Sequence, residues 1–148
     1  SKTYRHHVFD LKKIKVGDIV CGFKVLSIKN KSSSSHYNYS VSFYKMFTLT
    51  GYLTYSPNLL LYFDSSVSFI PDKKWQKKLP AAKDYPIGLN ISFDQKDSDK
   101  IISIIRTIKK QKVRAKIQVY NYSINFFPML IYNTARFKKI IWIKKNNK

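Results

Sequence analysis

The segment KVRAKIQVY, residues 112–120, places the strongest constraint on what this chain can fold into. Apolar residues occupy every second position from Val113 to Val119, and polar residues lie between them. Strict alternation over this length is typical of a β-strand with one buried face. The polar face carries three cations, spaced about 7 Å apart, with no acid between them: Lys112, Arg114 and Lys116. Because like charges along one face repel, we expect a partner to supply negative charge here.

Short β-type segments recur through the rest of the chain. Turn signals such as Val16-Gly17-Asp18 and Ser56-Pro57-Asn58 separate them at intervals of about ten residues. Gly22, inside the first of these segments, predicts a bulge or a sharp bend. Strands of this length and spacing are typical of a sandwich or a small barrel.

The segment 97–111, DSDKIISIIRTIKKQ, follows a different period. Its isoleucines recur at the spacing of one helix face: Ile101, Ile104, Ile105 and Ile108. Asp97 or Ser98 is suited to cap the first turn. The sequence therefore predicts a mostly β, α+β fold, namely a small antiparallel barrel with one helix at 97–111.

The chain length of 148 residues fits a single basic β-rich domain, residues 1–148. Three segments are expected to lie outside the regular elements. Residues 29–36 contain four consecutive serines and predict a flexible loop, and residues 71–86 contain three prolines and predict a basic surface loop. Residues 138–148 predict a basic tail.

The charge balance narrows the choice of partners. The chain has 28 basic residues against eight acidic ones, a formal net charge of +20, and every acid is Asp. A charge this large destabilises a compact protein by self-repulsion unless a polyanion neutralises it. Nucleic acid and an anionic membrane surface are the two natural polyanions. The chain has no apolar run of about 18 residues and no basic amphipathic helix typical of membrane surfaces, so we expect nucleic acid and no membrane.

No catalytic constellation is present in the sequence. His6, His7 and Asp10 lie close together and could ligate a metal, but near a chain end solvent exposure is the favoured interpretation. The paired acids at the helix start are explained by capping. Cys21, the single cysteine, is expected to be a small core residue rather than a nucleophile. We therefore expect a protein that is not an enzyme and that uses no cofactor or metal.

Basic residues interleaved with aromatic ones are the remaining signal. Lysine neutralises phosphate, and Tyr or Trp offers a flat surface on which unstacked bases lie. The candidate nucleic-acid-binding residues form three patches, the last of which also contains Trp142: Lys73, Lys74, Trp75, Lys77 and Lys78; Lys112, Arg114, Lys116, Tyr120 and Tyr122; Arg136, Lys138, Lys139, Lys144 and Lys145. The alternative for each patch is a solvated face whose aromatic residue is turned into the core.

Three segments resemble parts of an OB-fold. VGDIVCGFKVLSI resembles its first strand, bent at Gly22; DKIISIIRTIKKQ resembles its helix; and KVRAKIQVYNYSINFF resembles its last hairpin, with a tight connection at residues 121–123. The OB-fold is a five-stranded barrel with a helix between its third and fourth strands. Small OB subunits of replication protein A and of telomere-capping complexes have a similar ending. The resemblance implies that exposed strand faces and loops bind oligonucleotides.

Two functions from different classes follow from these observations. The favoured one is a non-catalytic RNA-binding structural component of a ribosome, which contacts rRNA phosphates and neighbouring protein subunits. Abundant Lys, Ile, Asn and Tyr, with scarce Ala and Gly, indicates an AT-rich genome and favours a mitochondrial or other organellar ribosome. The alternative is a single-stranded DNA-binding OB subunit of a telomere or replication complex in the nucleus. Both are intracellular, and the N-terminal segment SKTYRHHVFD lacks the apolar core of a secretory signal.

Overall fold

The computed structural model describes residues 1–32, 37–56, 66–83, 90–106, 112–127 and 130–144. Over these ranges the protein is mostly β, with one α-helix and a strongly curved sheet, so the predicted mostly β, α+β class is confirmed. The elements are β1 (Thr3–Tyr4), β2 (Val8–Phe9), β3 (Ile19–Val20), β4 (Phe23–Ser32), β5 (Tyr37–Tyr44), β6 (Met46–Ser56), β7 (Ser66–Pro71), a 3-10 helix (Lys73–Lys77), β8 (Ala81–Ala82), β9 (Ile91–Ser92), α1 (Gln95–Ile105), β10 (Lys112–Phe127) and β11 (Leu130–Ile143).

Five strands form a closed ring of backbone hydrogen bonds. β6 pairs with β7, β7 with β9, β9 with β11, and β11 with β10. β10 then pairs with β6 over Lys112–Tyr120, which closes the ring. The pairing of β9 with β11 is parallel and the other four are antiparallel, so the predicted antiparallel arrangement needs one correction.

β10 pairs with β6 over only its first half, although it pairs with β11 over both halves. After Tyr120 it leaves β6, and residues Ser123–Phe126 pair with β5 instead. Asn121 has a positive φ of 51° at the point of change, and the register with β11 shifts between Tyr120 and Ser123. The tight connection predicted at 121–123 is therefore wrong, because the strand bends through a bulge and continues to Phe127.

The N-terminal strands extend the sheet from the second half of β10. β5 pairs with β4, β4 with β3, and β3 with β1. The segment VGDIVCGFKVLSI forms the β3–β4 hairpin, whose described pairings lie outside the ring, so its expected role as a first barrel strand is wrong. Cys21 and Gly22 are the two turn residues, with φ of 49° and 85°, as a type I′ turn requires. Cys21 is thus half-buried at a turn and is not a core residue.

The apolar side of β10 is buried as the alternation predicts. Val113, Ala115, Ile117 and Val119 are each at most 1% exposed. Aromatic rings from several strands complete the core: Phe43 has its ring centroid 5.8 Å from Phe9, 6.3 Å from Phe23 and 6.2 Å from Tyr122. One hydrophobic core therefore joins the ring to the N-terminal strands.

Gly51 marks a close approach between β6 and β7. A Cβ atom at this position would lie 2.1 Å from the backbone oxygen of Ile70. Gly51 faces Ala115 on its other side, in the pair that closes the ring. Two small residues here let the three strands approach closely while the sheet curves.

The helix begins earlier than predicted. α1 starts at Gln95, and positions 107–111 of the predicted helix lie outside the described residues. The cap predicted at Asp97 or Ser98 is wrong, because Asp94 is the N-cap and its Oδ1 accepts a hydrogen bond from the Asp97 backbone N–H at 2.7 Å. Within the described ranges, no helix has the length and apolar character needed to cross a membrane.

The buried face of α1 also differs from the predicted isoleucine stripe. Ile101 and Ile105 are buried together with Asp97 and Ser98, whereas Ile104 is 48% exposed. The stripe prediction is wrong for Ile104, because the face that packs inward carries Asp97, whose carboxylate accepts hydrogen bonds from Arg136 and the Phe137 backbone N–H of β11. Ile108 lies outside the described residues.

The three segments expected to be irregular contain regular structure. Residues 29–32 continue β4, and 33–36 lie outside the described residues. Within 71–86 the 3-10 helix and β8 occupy described positions, and residues 138–143 belong to β11 rather than to a tail. A strand face open to water accepts polar and charged residues, so low hydrophobicity at these positions does not exclude a strand. Residues 84–86 and 145–148 are outside the described ranges.

Candidate nucleic-acid interface

Outward-facing side chains of β6, β10 and β11 form one curved surface, which we call the basic face. Its members are Tyr52, Lys112, Arg114, Lys116, Gln118, Tyr120, Arg136, Lys139, Trp142 and Lys144. The register places Lys116 opposite Trp142 and Gln118 opposite Lys139 on β11. The backbone N–H of Lys144 donates to the Arg114 carbonyl at 2.9 Å, which continues the same row beyond the end of β11.

The basic face joins two of the three predicted patches. Residues 112–120 and residues 136–144 are separate in sequence, but the β10–β11 pairing aligns them side by side. Neighbouring strands lie about 4.8 Å apart, so the cations of β10 and those of β11 stand in adjacent rows. The structure thus brings the second and third patches into one surface.

Arg114 has an acid partner within the protein, although the sequence predicted that an external partner would supply the negative charge for its strand. Its guanidinium makes two hydrogen bonds to the Asp72 carboxylate, one of them from Nη2 to Oδ2 at 2.7 Å. Asp72 follows β7 directly and is held there by Thr50, whose Oγ1 donates to Oδ2 at 2.6 Å. The charge of Arg114 is therefore neutralised from a segment 42 residues away in sequence.

The electrostatics of this pair are those of a stable ion pair. The hydrogen bond from Arg114, assisted by that from Thr50, lowers the pKa of Asp72 to about 2 although partial burial opposes the shift. The same bond raises the pKa of Arg114 above its ordinary value. Both groups stay ionised at neutral pH, so Arg114 is available to phosphate only in exchange for Asp72.

Tyr52 is a member of the basic face that the sequence search missed. Its ring lies under two cations, with Lys112 Nζ 4.6 Å and Arg114 Cζ 5.1 Å from the centroid. The side chain is 37% exposed. No basic residue adjoins Tyr52 in the sequence, so a search for aromatic residues among lysines could not find it; only the β6–β10 register reveals the cluster.

Arg136 lies at the other end of the basic face and is also held by acids. Its Nε donates to Asp97 Oδ2 at 2.8 Å, and Asp94 Oδ2 lies 3.6 Å away. Burial raises the pKa of Asp97, but hydrogen bonds from Arg136 and from the Phe137 backbone N–H outweigh it, so the pKa is lowered overall. Arg136 therefore fastens β11 to α1, and its guanidinium lies 5.9 Å from the Tyr120 ring centroid.

Of the predicted stacking residues, Tyr122 is buried and Trp75 is half-buried. Tyr122 is 1% exposed and its hydroxyl donates to the Pro80 carbonyl at 3.3 Å, so its place among the contact residues was wrong. Trp75 packs against the core, with its ring 5.9 Å from Phe47. In contrast, Trp142 is 42% exposed and remains a surface on which a base can stack.

The first predicted patch begins beside the Arg114–Asp72 pair. Lys73, Lys74 and Lys77 lie on the 3-10 helix that starts after Asp72, and their side chains are exposed, as is that of Lys78. Lys78 Nζ lies 5.3 Å from the Trp75 ring centroid. The four lysines of this patch therefore lie at the surface, whereas its tryptophan packs against the core. Of the third patch, Lys138 is exposed on β11 and Lys145 lies outside the described residues.

The few acids of the chain are engaged in local structure. Each described acid accepts a hydrogen bond or forms an ion pair: Asp10, Asp18, Asp72, Asp94, Asp97 and Asp99. In the part of the chain that the structure describes, the ion pairs involve no cation other than Arg114 and Arg136. The lysines of the basic face consequently have no acid partner there.

A polar pocket adjoins the second half of β10. Its volume is about 520 Å³, and hydroxyl and amide side chains line most of it, including Ser92, Ser123, Asn125 and Thr134. Asn125 Nδ2 donates to Thr134 Oγ1 at 3.1 Å, which fixes the amide across the β10–β11 pair. Arg136 marks the boundary between this pocket and the basic face.

The remaining candidate site is the histidine cluster at the N-terminus. His6 and His7 have ring centroids 5.0 Å apart, and His7 Nδ1 lies 3.0 Å from the Leu79 carbonyl oxygen. Among the described residues, no group of three or more His, Cys, Asp or Glu side chains is arranged to hold a metal ion.

Comparisons with known proteins do not assign the chain to a family. No family model matches it, and no curated protein or solved structure matches it significantly.

Proposed function

We propose that the protein is a non-catalytic nucleic-acid-binding protein that contacts phosphates through its basic face. The observation that carries the proposal is the β6–β10–β11 register, which aligns lysines from two separate segments beside exposed aromatic rings. Lys112, Lys116 and Lys139 have no acid partner among the described residues. Lysines in such a row supply the phosphate contacts on which nucleic-acid affinity mainly depends.

RNA within a large ribonucleoprotein, such as a ribosome, is the nucleic acid that we favour. Exposed cations also lie outside the basic face, on the N-terminal segment and β4, for example Lys12, Lys24 and Lys29. A protein enclosed by RNA on several sides is expected to carry cations on several sides. The AT-rich bias of the sequence agrees with an organellar ribosome.

An OB-like architecture is part of the proposal. The strands β6, β7 and β9 precede α1, and β10 returns beside β6, which is the Greek-key order. β11 closes the ring between β9 and β10, and α1 lies between the third and fourth ring strands. A five-stranded Greek-key barrel with this helix position is the OB plan. In this assignment the first barrel strand is β6.

A single-stranded DNA-binding subunit is the second candidate function. The exposed rings of Tyr52 and Trp142 on the basic face favour it, because single strands bind through stacked bases as well as phosphates. This candidate predicts that one face carries almost all of the binding energy.

Fluorescence anisotropy with three labelled probes tests the proposal: oligouridine, oligothymidine of equal length and a short RNA duplex. The face variant is Lys112→Ala/Lys116→Ala/Lys139→Ala. The matched control is Lys12→Ala/Lys24→Ala/Lys29→Ala, which removes the same charge from the N-terminal segment and β4. Titrations at several salt concentrations give the number of phosphate contacts, because each contact on a single strand contributes about 0.7 to the logarithmic salt slope.

The face variant is expected to lower the salt slope for oligouridine by about 2, from about 0.7 for each of its substitutions. Equal affinity of wild-type protein and face variant for all three probes would refute the proposal. If RNA contacts several sides, the control variant also loses affinity for the RNA duplex. If only the face variant loses affinity, and oligothymidine binds as tightly as oligouridine, the single-strand candidate is supported instead.

A further inference from the structure

A groove runs between α1 and the outer part of β11. Ser103 and Ile104 line it on the helix side, and residues 137–143 line it on the strand side. Its volume is about 720 Å³. It opens at the margin of the basic face, because Trp142 and Lys139 border both surfaces.

The groove exposes apolar side chains that a water-facing surface does not require. Ile104 is 48% exposed, Ile141 is 43% exposed and Trp142 is 42% exposed. Ile141 is displaced by a bulge, since Lys116 pairs with Trp142 while Ile117 pairs with Ile140. The backbone irregularity thus turns an extra isoleucine toward the groove.

The strand side of the groove is an open sheet edge. Among the described residues, β9 pairs with β11 only at Asn133 and Thr134, and the Phe137 backbone N–H donates to Asp97 of α1. From Lys138 onward no described strand covers the edge. An open edge of this kind offers backbone hydrogen-bonding groups to an added extended segment.

The rim of the groove is positive. Lys100 on α1 and Lys138 and Lys139 on β11 lie around the apolar residues, and no acid is among the residues that line the groove. A fitting occupant therefore carries carboxylates beside apolar side chains.

We propose that this groove binds an acidic segment of a partner protein. Apolar side chains of the segment contact Ile104 and Ile141, and its carboxylates lie against the three rim lysines. Nucleic acid has no aliphatic side chains to fill the groove, and a cleft between a helix and a strand does not protrude into a bilayer. The inference does not rest on nucleic-acid binding by the basic face, but the two surfaces share Lys139 and Trp142, so the two ligands would compete there.

Fluorescence anisotropy with a labelled peptide tests this inference on the full chain. The probe is a peptide of about eight residues, the length of a longer strand, in which Leu alternates with Glu. One matched peptide replaces every Glu with Gln, and another replaces every Leu with Ser. The protein variant is Ile104→Ser/Ile141→Ser, and the control is Leu26→Ser, since Leu26 is 46% exposed on β4, away from the groove.

The wild type and Leu26→Ser are expected to bind the Leu/Glu peptide equally. The double variant should bind roughly tenfold more weakly for each isoleucine removed, while its thermal unfolding stays that of the wild type. Both matched peptides should bind more weakly than the Leu/Glu peptide.

Three results would overturn the inference. The first is no binding of the Leu/Glu peptide at about 1 mM, and the second is equal binding by the double variant. The third is a loss, in the double variant, of binding to phosphatidylserine vesicles or to oligouridine without any effect on the peptide, which would assign the groove to a membrane or to nucleic acid.

Discussion

The two halves of β10 belong to one strand but present different chemistry to solvent. The first half pairs with β6 and carries Lys112, Arg114 and Lys116 on its outer face. The second half pairs with β5 and carries Ser123 and Asn125, which line the polar pocket. The change occurs at the bend of Asn121, where the strand changes partner.

The outer face of β10 is therefore cationic where the strand pairs with β6 and uncharged where it pairs with β5. Arg114 on the first half pairs with Asp72, whereas Arg136 on β11, opposite Tyr120 where that half ends, pairs with Asp97 of α1, and the two pairs differ in depth. The Arg114 and Asp72 side chains are 31% and 27% exposed, whereas Asp97, the partner of Arg136, is fully buried. The cationic half thus contains the partly exposed Arg114–Asp72 pair, which water and phosphate can reach. The polar half borders the Arg136–Asp97 pair, which connects β11 to α1.

The largest expected effect comes from breaking the first half at Gly51. A Gly51→Ala substitution places Cβ against the Ile70 backbone oxygen, so β6 must move away from β7 or from β10. We expect a loss of about 3 kcal/mol or more in the free energy of unfolding, measured by urea denaturation. The control is Gly17→Ala, whose nearest contact would be 3.8 Å away but whose φ is positive, and which should lose about 1 kcal/mol.

Removal of Asp97 should break the attachment at the boundary of the second half. Asp97→Ala leaves Arg136 and the Phe137 N–H without their acceptor. We expect a loss of about 2 to 3 kcal/mol in the free energy of unfolding. Asp99→Ala, an exposed acid on the same helix, should change it by less than about 0.5 kcal/mol; an equal loss in both variants would show that the buried contact has no special weight.

Acidification should weaken both halves. The folded-state pKa values of Asp72 and Asp97 are lowered, so their contribution to stability is present above the unfolded value near 3.8 and is lost as protons bind below it. For Asp72, whose pKa is lowered to about 2, we expect a loss of about 1 kcal/mol in the free energy of unfolding between about pH 4 and about pH 2, and Asp97 adds to the loss in the same direction. Urea denaturation across this range measures it, and Asp72→Asn should make the dependence shallower.

At neutral pH, Asp72→Asn should separate stability from binding. The variant loses the ion pair that holds Arg114, at an expected cost of about 1 kcal/mol in the free energy of unfolding. It also releases Arg114 to phosphate, so affinity for oligouridine should rise and its salt slope should steepen by about 0.7. Weaker binding by this variant would mean that Arg114 needs Asp72 in order to face the nucleic acid.

The smallest expected effect comes from a substitution in the uncharged second half of β10. Ser123→Ala removes the hydroxyl contact of 2.8 Å with Ser42 between β10 and β5. We expect a loss of about 0.5 to 1 kcal/mol in the free energy of unfolding and no change in the salt dependence of nucleic-acid binding. A change in that salt dependence would extend the binding surface past the bend.

The sequence predicted the class of the fold because periodicity is local information. The alternation in residues 112–120 and the helical period after residue 97 both follow from positions a few residues apart. Partner choice is not local, and for that reason the bend at Asn121, the parallel pairing of β9 with β11 and the place of the β3–β4 hairpin were missed. The candidate site shows the same division: the lysines were found by composition, whereas the contacts of Tyr52 and Asp72 with Arg114 depend on strands that are distant in sequence.

The closing pair of the ring also has a consequence for how the chain folds. Roughly 60 to 70 residues separate the paired positions of β6 and β10 along the chain, so the ring closes only after β10 has been synthesised. During synthesis the N-terminal strands leave the ribosome before the strand that connects them to the ring has been made. We expect slow folding limited by this late pairing, with dense positive charge keeping unfinished chains apart until it forms.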